Sequence, residues 1–387
     1  MSERTYDCAV VGAGMVGATL ALALDRAGLD SVVIERRPGG DQDGEVPDQR
    51  GLALSLSTQR LLANLDLWDA VAPLTVPIRH IELSEQGRYA FARLSADDID
   101  APALGYVCPA VSLARLLDAA AAGAQRVHML RPAIIDSVET SAAGVHLALS
   151  DAPAAGATAR LLVVSDGARS ATRQRLGITA SERDYGQTVI VGNVDIERPR
   201  PDTAFHRLGA AGPMVLLPLG GRRCVAIWTV PAADAEATLA LADSAWCERF
   251  AAVFGSRLGR FSAPGPRSAH PVSLSSADRI AEGPAVLVGN AAQAVHPNGA
   301  QGLNLGLRDV ACLLDCIAGT LGDSASQDMT DTMHGGGDAA ARRCAERYAA
   351  ARATDRRRVI RFTDAMARGG ASGFLPLVAA RDLALLT

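Results

Sequence analysis

The first forty residues change hydrophobic period twice. YDCAVVGAG is a continuous apolar run that ends in glycines, the pattern of a strand buried on both faces. MVGATLALALDRAG then places small and apolar residues at helical spacing, with Gly28 as a stop. SVVIE returns to strand character, so the three runs predict a βαβ unit. A stretch rich in Gly, Asp and Pro follows at residues 38–51 and predicts a loop. SLSTQRLLANLDLWDAV predicts a helix after it.

The pattern shortens in the middle of the chain. TVIVGNVDIE, DTAFHRL, GPMVLLPLGG and RRCVAIWTVP are strand-like runs separated by Gly, Pro and charge, which predicts an antiparallel sheet. ADSAWCERFAAVFG predicts a helix. The buried parallel-strand pattern resumes in RLLVVSDG at 160–167 and AVLVG at 285–289. The expected architecture is therefore α/β, a Rossmann-like nucleotide-binding domain made discontinuous by an inserted sheet domain. Residues 1–72, 102–180 and 280–330 would form the first, and residues 73–101 and 181–279 the second. Residues 331–387 would form a C-terminal helical region, with GGGD at 335–338 as a turn and GGASGFLPL as a helix breaker.

Composition narrows the chemistry. A formal net charge of −4 disfavours nucleic acid as a partner. All 38 basic residues are arginine, so no lysine amine is available for Schiff-base chemistry. The seven cysteines form no CxxC pair and have no zinc spacing, so no metal is expected, and Cys312 and Cys316 read as core residues. An odd cysteine count and a polar N-terminus without a signal-peptide pattern predict a reducing cytoplasm. No uncharged apolar run reaches the roughly 18–20 residues that span a bilayer. Arg356-Arg357-Arg358 reads as a solvated helix face.

Against that background the glycines carry the signal. Gly12-x-Gly14-x-x-Gly17 follows a strand and opens a helix. Gly12 permits the tight turn, Gly14 lets backbone approach a pyrophosphate, and Gly17 lets helix and strand pack closely. Glu35 closes the next strand, where an acid suits a ribose hydroxyl. Asp166-Gly167 with Ser170 and Arg173 could be no more than a capped turn. GNAAQAVHPNGAQGLNLGLRDV at 289–310 has more polar and glycine residues than a turn needs. Its small residues admit a flat ring, and the helix near Leu303 aims its positive end at the loop.

In this order and spacing, the three motifs resemble those of class A flavoprotein monooxygenases, over about residues 5–365. Asn290 and Gln293, with DQRGLALSLSTQRLLANLDLWDAV and GPMVLLPL, resemble the ubiquinone-biosynthesis hydroxylases, most of all the 2-polyprenyl-6-methoxyphenol hydroxylase group. The resemblance implies a p-hydroxybenzoate hydroxylase-like fold with FAD as cofactor and NAD(P)H as co-substrate. It places Gly12, Gly14, Gly17, Glu35 and Arg36 at the ADP half, and Arg50 at the nicotinamide approach. Asp166, Gly167 and Arg169 fall in the second motif. Asn290 would face the ribityl chain, and Pro297, Gly299, Gln301, Gly302, Leu303 and Asn304 the flavin ring.

The implied activity is hydroxylation of a polyprenylated phenol with O₂, through a flavin C4a-hydroperoxide. Other ubiquinone-biosynthesis proteins are implied as partners, with peripheral contact at the inner membrane. Phe205, Leu216 and Trp228 are candidate substrate liners. His296 and Pro297 are the candidate catalytic residues, His296 as a group that could influence proton movement at the flavin, and His206 is the other candidate to deprotonate a phenol. Three places depart from the family pattern: Gly299-Ala300 replaces Ala-Gly, Pro109-Ala110 replaces Glu-Asn, and Phe205-His206-Arg207-Leu208 replaces Phe-Glu-Arg-Phe. Relatives also continue past RDLALL. A hydroxylase of a small soluble phenol and a flavin-binding scaffold of low turnover are the alternative functions.

Overall fold

The computed structural model describes residues 5–39, 50–87, 91–141, 144–209, 211–262, 264–322 and 337–368. The GGASGFLPL segment, the terminal RDLALL, residues 335–336 of GGGD and most of the loop at 38–51 lie outside these residues. Gly337 itself begins the last helix and not a turn.

Five parallel strands form the centre of the first, eight-stranded sheet, in the order Ala285–Leu287, Gly156–Val164, Thr5–Val11, Ser31–Ile34, Val127–Leu130. All four residues of Ser31–Ile34, and all but the first of Thr5–Val11, are buried, as both faces are covered. Helix Met15–Arg26 packs against Ala110–Gly123 on one flank and Gln301–Gly322 on the other. Gly337–Arg368 packs on Gln301–Gly322 and on the strand Ala285–Leu287. Strands Gly144–Ser150 and Ile134–Ser141 extend the sheet antiparallel from Gly156–Val164.

The second sheet has nine strands, centred on Ala180–Ile196, Arg223–Pro231, Gly212–Pro218 and Thr203–Gly209. It is mixed and not purely antiparallel: Thr203–Gly209 runs parallel to His80–Glu85. That pair is linked by long crossovers, which a reading of adjacent hairpins does not see. The sheet begins earlier than TVIVGNVDIE, because a bulge between Asp184 and Gln187 lets Ala180–Ile196 run on past it. One face is covered by helix Asp243–Phe254, whose Trp246, Phe250 and Phe254 pack on Phe205, Leu216 and Trp228. A three-stranded sheet, Gly51–Ser55, Gly105–Pro109 and Val76–Ile78, joins the two larger ones.

Leu56–Asn64 and Trp68–Val71 are two helices where the sequence pattern predicts one. Asp66 between them has φ 56°, a left-handed conformation that ends the first helix.

Candidate flavin and substrate site

Three loops leave the same edge of the parallel sheet, from adjacent strands. They are the loops at Gly12, Asp166 and Gly289, so the three sequence motifs converge. Ser165 joins the first two: its hydroxyl donates to the carbonyls of Val11 at 2.8 Å and Gly12 at 3.0 Å.

The glycines in these loops fall into two kinds. A Cβ on Gly17 would stand 1.9 Å from the Gly12 carbonyl oxygen, and one on Gly12 would stand 2.8 Å from that of Ser165. These two are glycine because chain packs on chain. Gly14, Gly167 and Gly302 have nothing within 4 Å of such a Cβ. One from each motif, they leave open space where a ligand's backbone-facing surface would fit.

The polar groups agree. Glu35 accepts from Ala13 N at 2.8 Å and from Arg37 N at 3.0 Å, which fixes its carboxylate beside the glycine turn. Asp166 accepts from Thr172 N at 3.2 Å through one oxygen, while the other is buried without a partner. A buried, unmatched carboxylate oxygen is costly unless something donates to it. Ser170 caps Ala171–Arg175, and buried Arg173 ties Ala168 O to Ala291 O, so the second loop is clamped to the third. Arg36, Arg50, Arg169 and Asn290 are exposed around this edge.

The third loop is held from below. Buried Asp309 accepts from Gly289 N at 2.9 Å, Gln293 Nε2 at 2.8 Å and Arg352 Nε at 2.7 Å. Arg352 also reaches Asp355, which pairs with Arg308 at 2.9 Å. Burial pushes the Asp309 carboxyl up, against the pull of Arg352 and the donated hydrogen bonds. Gln293 is therefore a structural link: its carbonyl accepts from Arg356 Nε at 2.8 Å. This corrects the solvated reading of Arg356, which turns inward to Ser276, Ala277 and Ala292. Arg357 and Arg358 are exposed as expected. Val16 fills the notch between Gly289 and Gly306, where a Cβ on Gly306 would lie 2.8 Å from it.

His296 is fully buried. Its Nδ1 accepts from Asn298 N at 3.1 Å, so the proton sits on Nε2 and is donated to Gln187 Oε1, also at 3.1 Å. Burial lowers its pKa to about 4. Both nitrogens are spent on holding the loop, while the adjacent Pro297 is exposed and lines the cavity described below. Asn304 is also committed: it accepts from Ser55 N and Thr58 Oγ1 and donates to Ala53 O and Ala300 O. That uses all four of its amide's hydrogen-bonding positions and leaves none for a ring. Gln301 donates to Gly299 O at 3.3 Å and accepts from Arg308 at 3.4 Å. Ala300 has φ 54°, so the Gly299-Ala300 order puts an alanine into a left-handed position that costs about 1 kcal/mol. At the second departure, Ala110 N donates to Arg50 O at 2.9 Å, and Pro109 precedes a helix, Ala110–Gly123, that the sequence pattern did not predict.

Between the third loop and the nine-stranded sheet lies an apolar cavity. Its walls include Ile81, Leu83, Val189, Val215, Leu217 and Ile227, with Pro297, Gly299 and Ala300 on the loop side and Met366 from the last helix. Leu216 and Trp228 do not line it. Strand side chains alternate, and these two point to the opposite face, into the helix Asp243–Phe254 core. Their neighbours Val215, Leu217, Ile227 and Thr229 are the liners. Phe205 touches the cavity, although its ring packs on Phe254 at 6.3 Å.

Sequence reading missed Gly306, Asp309, Asn298 and Arg352. A signal exists for two of them. Leu305, Asp309 and Leu313 share one helical face, as do Ala345, Tyr348 and Arg352, so each charge sits in an apolar register. Among the described residues no group of His, Cys, Asp and Glu could hold a metal ion, and no helix is long and apolar enough to cross a membrane.

A parallel sheet bearing a glycine-lined ligand edge, with an apolar cavity between that edge and a second sheet, defines an FAD-dependent monooxygenase architecture. The chain belongs to the FAD binding domain family, whose model matches residues 5–348. It is 32% identical to the ubiquinone hydroxylase UbiL of Rhodospirillum rubrum, over 99% of this chain and 86% of that protein. It is 30% identical to 3-demethoxyubiquinol 3-hydroxylase of Escherichia coli, over 82% and 81%. In fold it is similar to PqsL, a probable FAD-dependent monooxygenase from Pseudomonas aeruginosa, with TM-score 0.73, 22% identity and 99% of both chains covered. The protein is an FAD-dependent aromatic monooxygenase.

FAD fits the residues present. Replacing Gly14 by alanine separates ligand space from packing space. Its φ of −65° and ψ of 176° suit any residue, so the fold should keep its melting temperature. The added methyl would stand where a pyrophosphate approaches the helix N-terminus, and FAD affinity should fall at least about tenfold, or 1.4 kcal/mol. Titration of the apoprotein with FAD measures this. Unchanged affinity would place the cofactor elsewhere.

Proposed function

We propose that this enzyme hydroxylates the ring of a polyprenylated phenol in ubiquinone biosynthesis, with NAD(P)H and O₂. The observation that carries the reading is the cavity, walled mainly by apolar side chains beside the glycine-lined loops. The named activities of the two hydroxylase relatives support it.

In this reading FAD supplies the reduction by NAD(P)H and the activation of O₂ for transfer to the ring. The Gly12–Gly17 turn and the helix Met15–Arg26 hold its pyrophosphate, and Glu35 its adenosine ribose, with Arg36 at its rim. Asp166 offers its unmatched oxygen to a hydroxyl, with Gly167 and Arg169 alongside, and Asn290 faces the ribityl chain. Arg50 lies on the nicotinamide approach. The N-terminus of Gln301–Gly322, through Gln301, Gly302 and Leu303, would hold the flavin ring, and its positive end would suit negative charge there. Pro297, Gly299 and Ala300 form the surface against which substrate rests. Asn304 and His296 keep that surface in place rather than touching the reaction. The apolar walls exclude water, which protects the activated oxygen from wasteful loss. Because a polyprenylated substrate dissolves in membrane, the enzyme would act in the cytoplasm at the inner-membrane surface, beside other ubiquinone-biosynthesis proteins.

The test is NAD(P)H oxidation by the FAD-loaded enzyme with a short-chain prenylated phenol and with the same phenol lacking the prenyl group. Strong stimulation and hydroxylated product from the first alone are expected. Equal use of both would favour a small soluble phenol. Stimulation by neither would favour a scaffold.

A further inference from the structure

The sheet wall of the cavity carries two polar side chains, Thr229 and His206, and only His206 brings a titratable ring to it. His206 lies on Thr203–Gly209, paired across the sheet with Val215 and Leu83, both of which line the cavity, and His206 lines it too. Its neighbours in sequence, Phe205 and Arg207, point the other way: Phe205 to Phe254, and Arg207 to Val253 O at 3.2 Å. Alternation along the strand therefore sends the imidazole toward the cavity. Both of its ring nitrogens are buried, and neither has a hydrogen-bond partner. On the loop wall, Asn298 is 3% exposed and its side-chain oxygen is likewise buried and unpartnered.

Unpartnered buried polar groups cost stability, and a chain gains nothing from them unless something else completes them. The two walls together offer one donor and two acceptors: imidazole N–H, imidazole N and amide oxygen. An aromatic ring with a single oxygen satisfies only part of this set. A phenol hydroxyl can accept from the imidazole N–H and donate to one acceptor, and only a second hydroxyl would supply a donor for the acceptor left over.

We propose that His206 is the residue that reads the substrate's ring oxygens, with Asn298 as its counterpart across the cavity. This rests on the prenylated-phenol reading and deepens it by naming the residues that hold and orient the ring's hydroxyl. His206 is kept neutral by burial, which lowers its pKa to about 4. A neutral imidazole orients a phenol by hydrogen bonding and does not take its proton to completion. The site would thus select which ring carbon faces the flavin, because a ring held at its oxygens cannot rotate freely in an aliphatic pocket.

The experiment uses the FAD-loaded enzyme as wild type, His206→Phe and His206→Gln. The probes are a short-chain prenylated methoxyphenol and the same compound with the hydroxyl replaced by hydrogen. Binding is read from the change in flavin absorbance, and the melting temperature is read without ligand. His206→Phe should weaken binding of the phenol about tenfold, leave the deoxy compound unchanged and raise the melting temperature. His206→Gln, which restores a donor and an acceptor, should recover part of the discrimination. If His206→Phe discriminates as well as wild type, or loses affinity for both compounds equally, the assignment to His206 is overturned. If wild type binds neither compound while retaining FAD, the prenylated-phenol reading fails and this one with it.

Discussion

Arg352→Ala is expected to destabilise the protein by about 3–5 kcal/mol and to loosen its hold on FAD. Arg352 is 5% exposed and Asp309 1% exposed, so truncating the arginine strands a carboxylate in the core. The loss should exceed that of an exposed pair such as Arg79–Asp97, where about 0–1 kcal/mol is usual. Its consequence for the cofactor follows from what else Asp309 does. The same carboxylate holds Gly289 N and Gln293, so a carboxylate that shifts or takes up a proton releases the loop that carries Asn290. Replacing both partners with apolar residues should not restore the loop, because Gly289 N–H and the Gln293 amide would then be unmatched. Urea unfolding and the FAD retained per chain measure the two effects. A stability loss under about 1 kcal/mol would mean that the pair is hydrated and not a buried support.

This network also shows where the sequence becomes hard to read. The glycine motifs were legible because their spacing is local: strand, turn and helix lie between Thr5 and Arg26, and the packing of Gly17 on Gly12 follows from them. The buried runs of Thr5–Val11 and Ser31–Ile34 were legible for the same reason. The wall of the cavity was not. GPMVLLPL and RRCVAIWTVP are apolar on both faces, so nothing in either run says whether Leu216 or its neighbours face substrate. Only the placement of helix Asp243–Phe254 decides it, and this helix claims Leu216 and Trp228. The partners of Asp309 lie 16, 20 and 43 residues away, on three different elements. Their charges in apolar registers signalled burial but not pairing. Gln293 illustrates the difference between a marker and a role: its sequence resemblance marked a family, and its contacts make it a strut between the loop at Gly289 and the last helix.

Acidification should unfold the protein steeply below pH 6.5. His206 and His296 both have pKa values lowered by burial from 6.5 to about 4. Above pH 6.5 each is neutral whether folded or not, and neither contributes a pH dependence. Between pH 6.5 and 4 the unfolded chain binds two protons that the folded chain refuses, so stability falls as pH falls. The slope approaches about 1.4 kcal/mol per pH unit for each histidine, or about 2.7 for both. Across the whole window this is of the order of 6 kcal/mol, comparable with the net stability of many domains. Loss of the fold is therefore expected before pH 4 is reached. His206→Phe removes one of the two groups and should halve the slope while raising stability at neutral pH, since it also removes two unmatched nitrogens. His296 behaves differently on replacement, because Asn298 N and Gln187 lose their partner and the loop loses its pin. Urea midpoints between pH 5 and 8 for wild type and His206→Phe settle the matter. Parallel curves for the two would show that His206 takes up its proton in the folded protein as readily as in the unfolded chain, and that water reaches the ring.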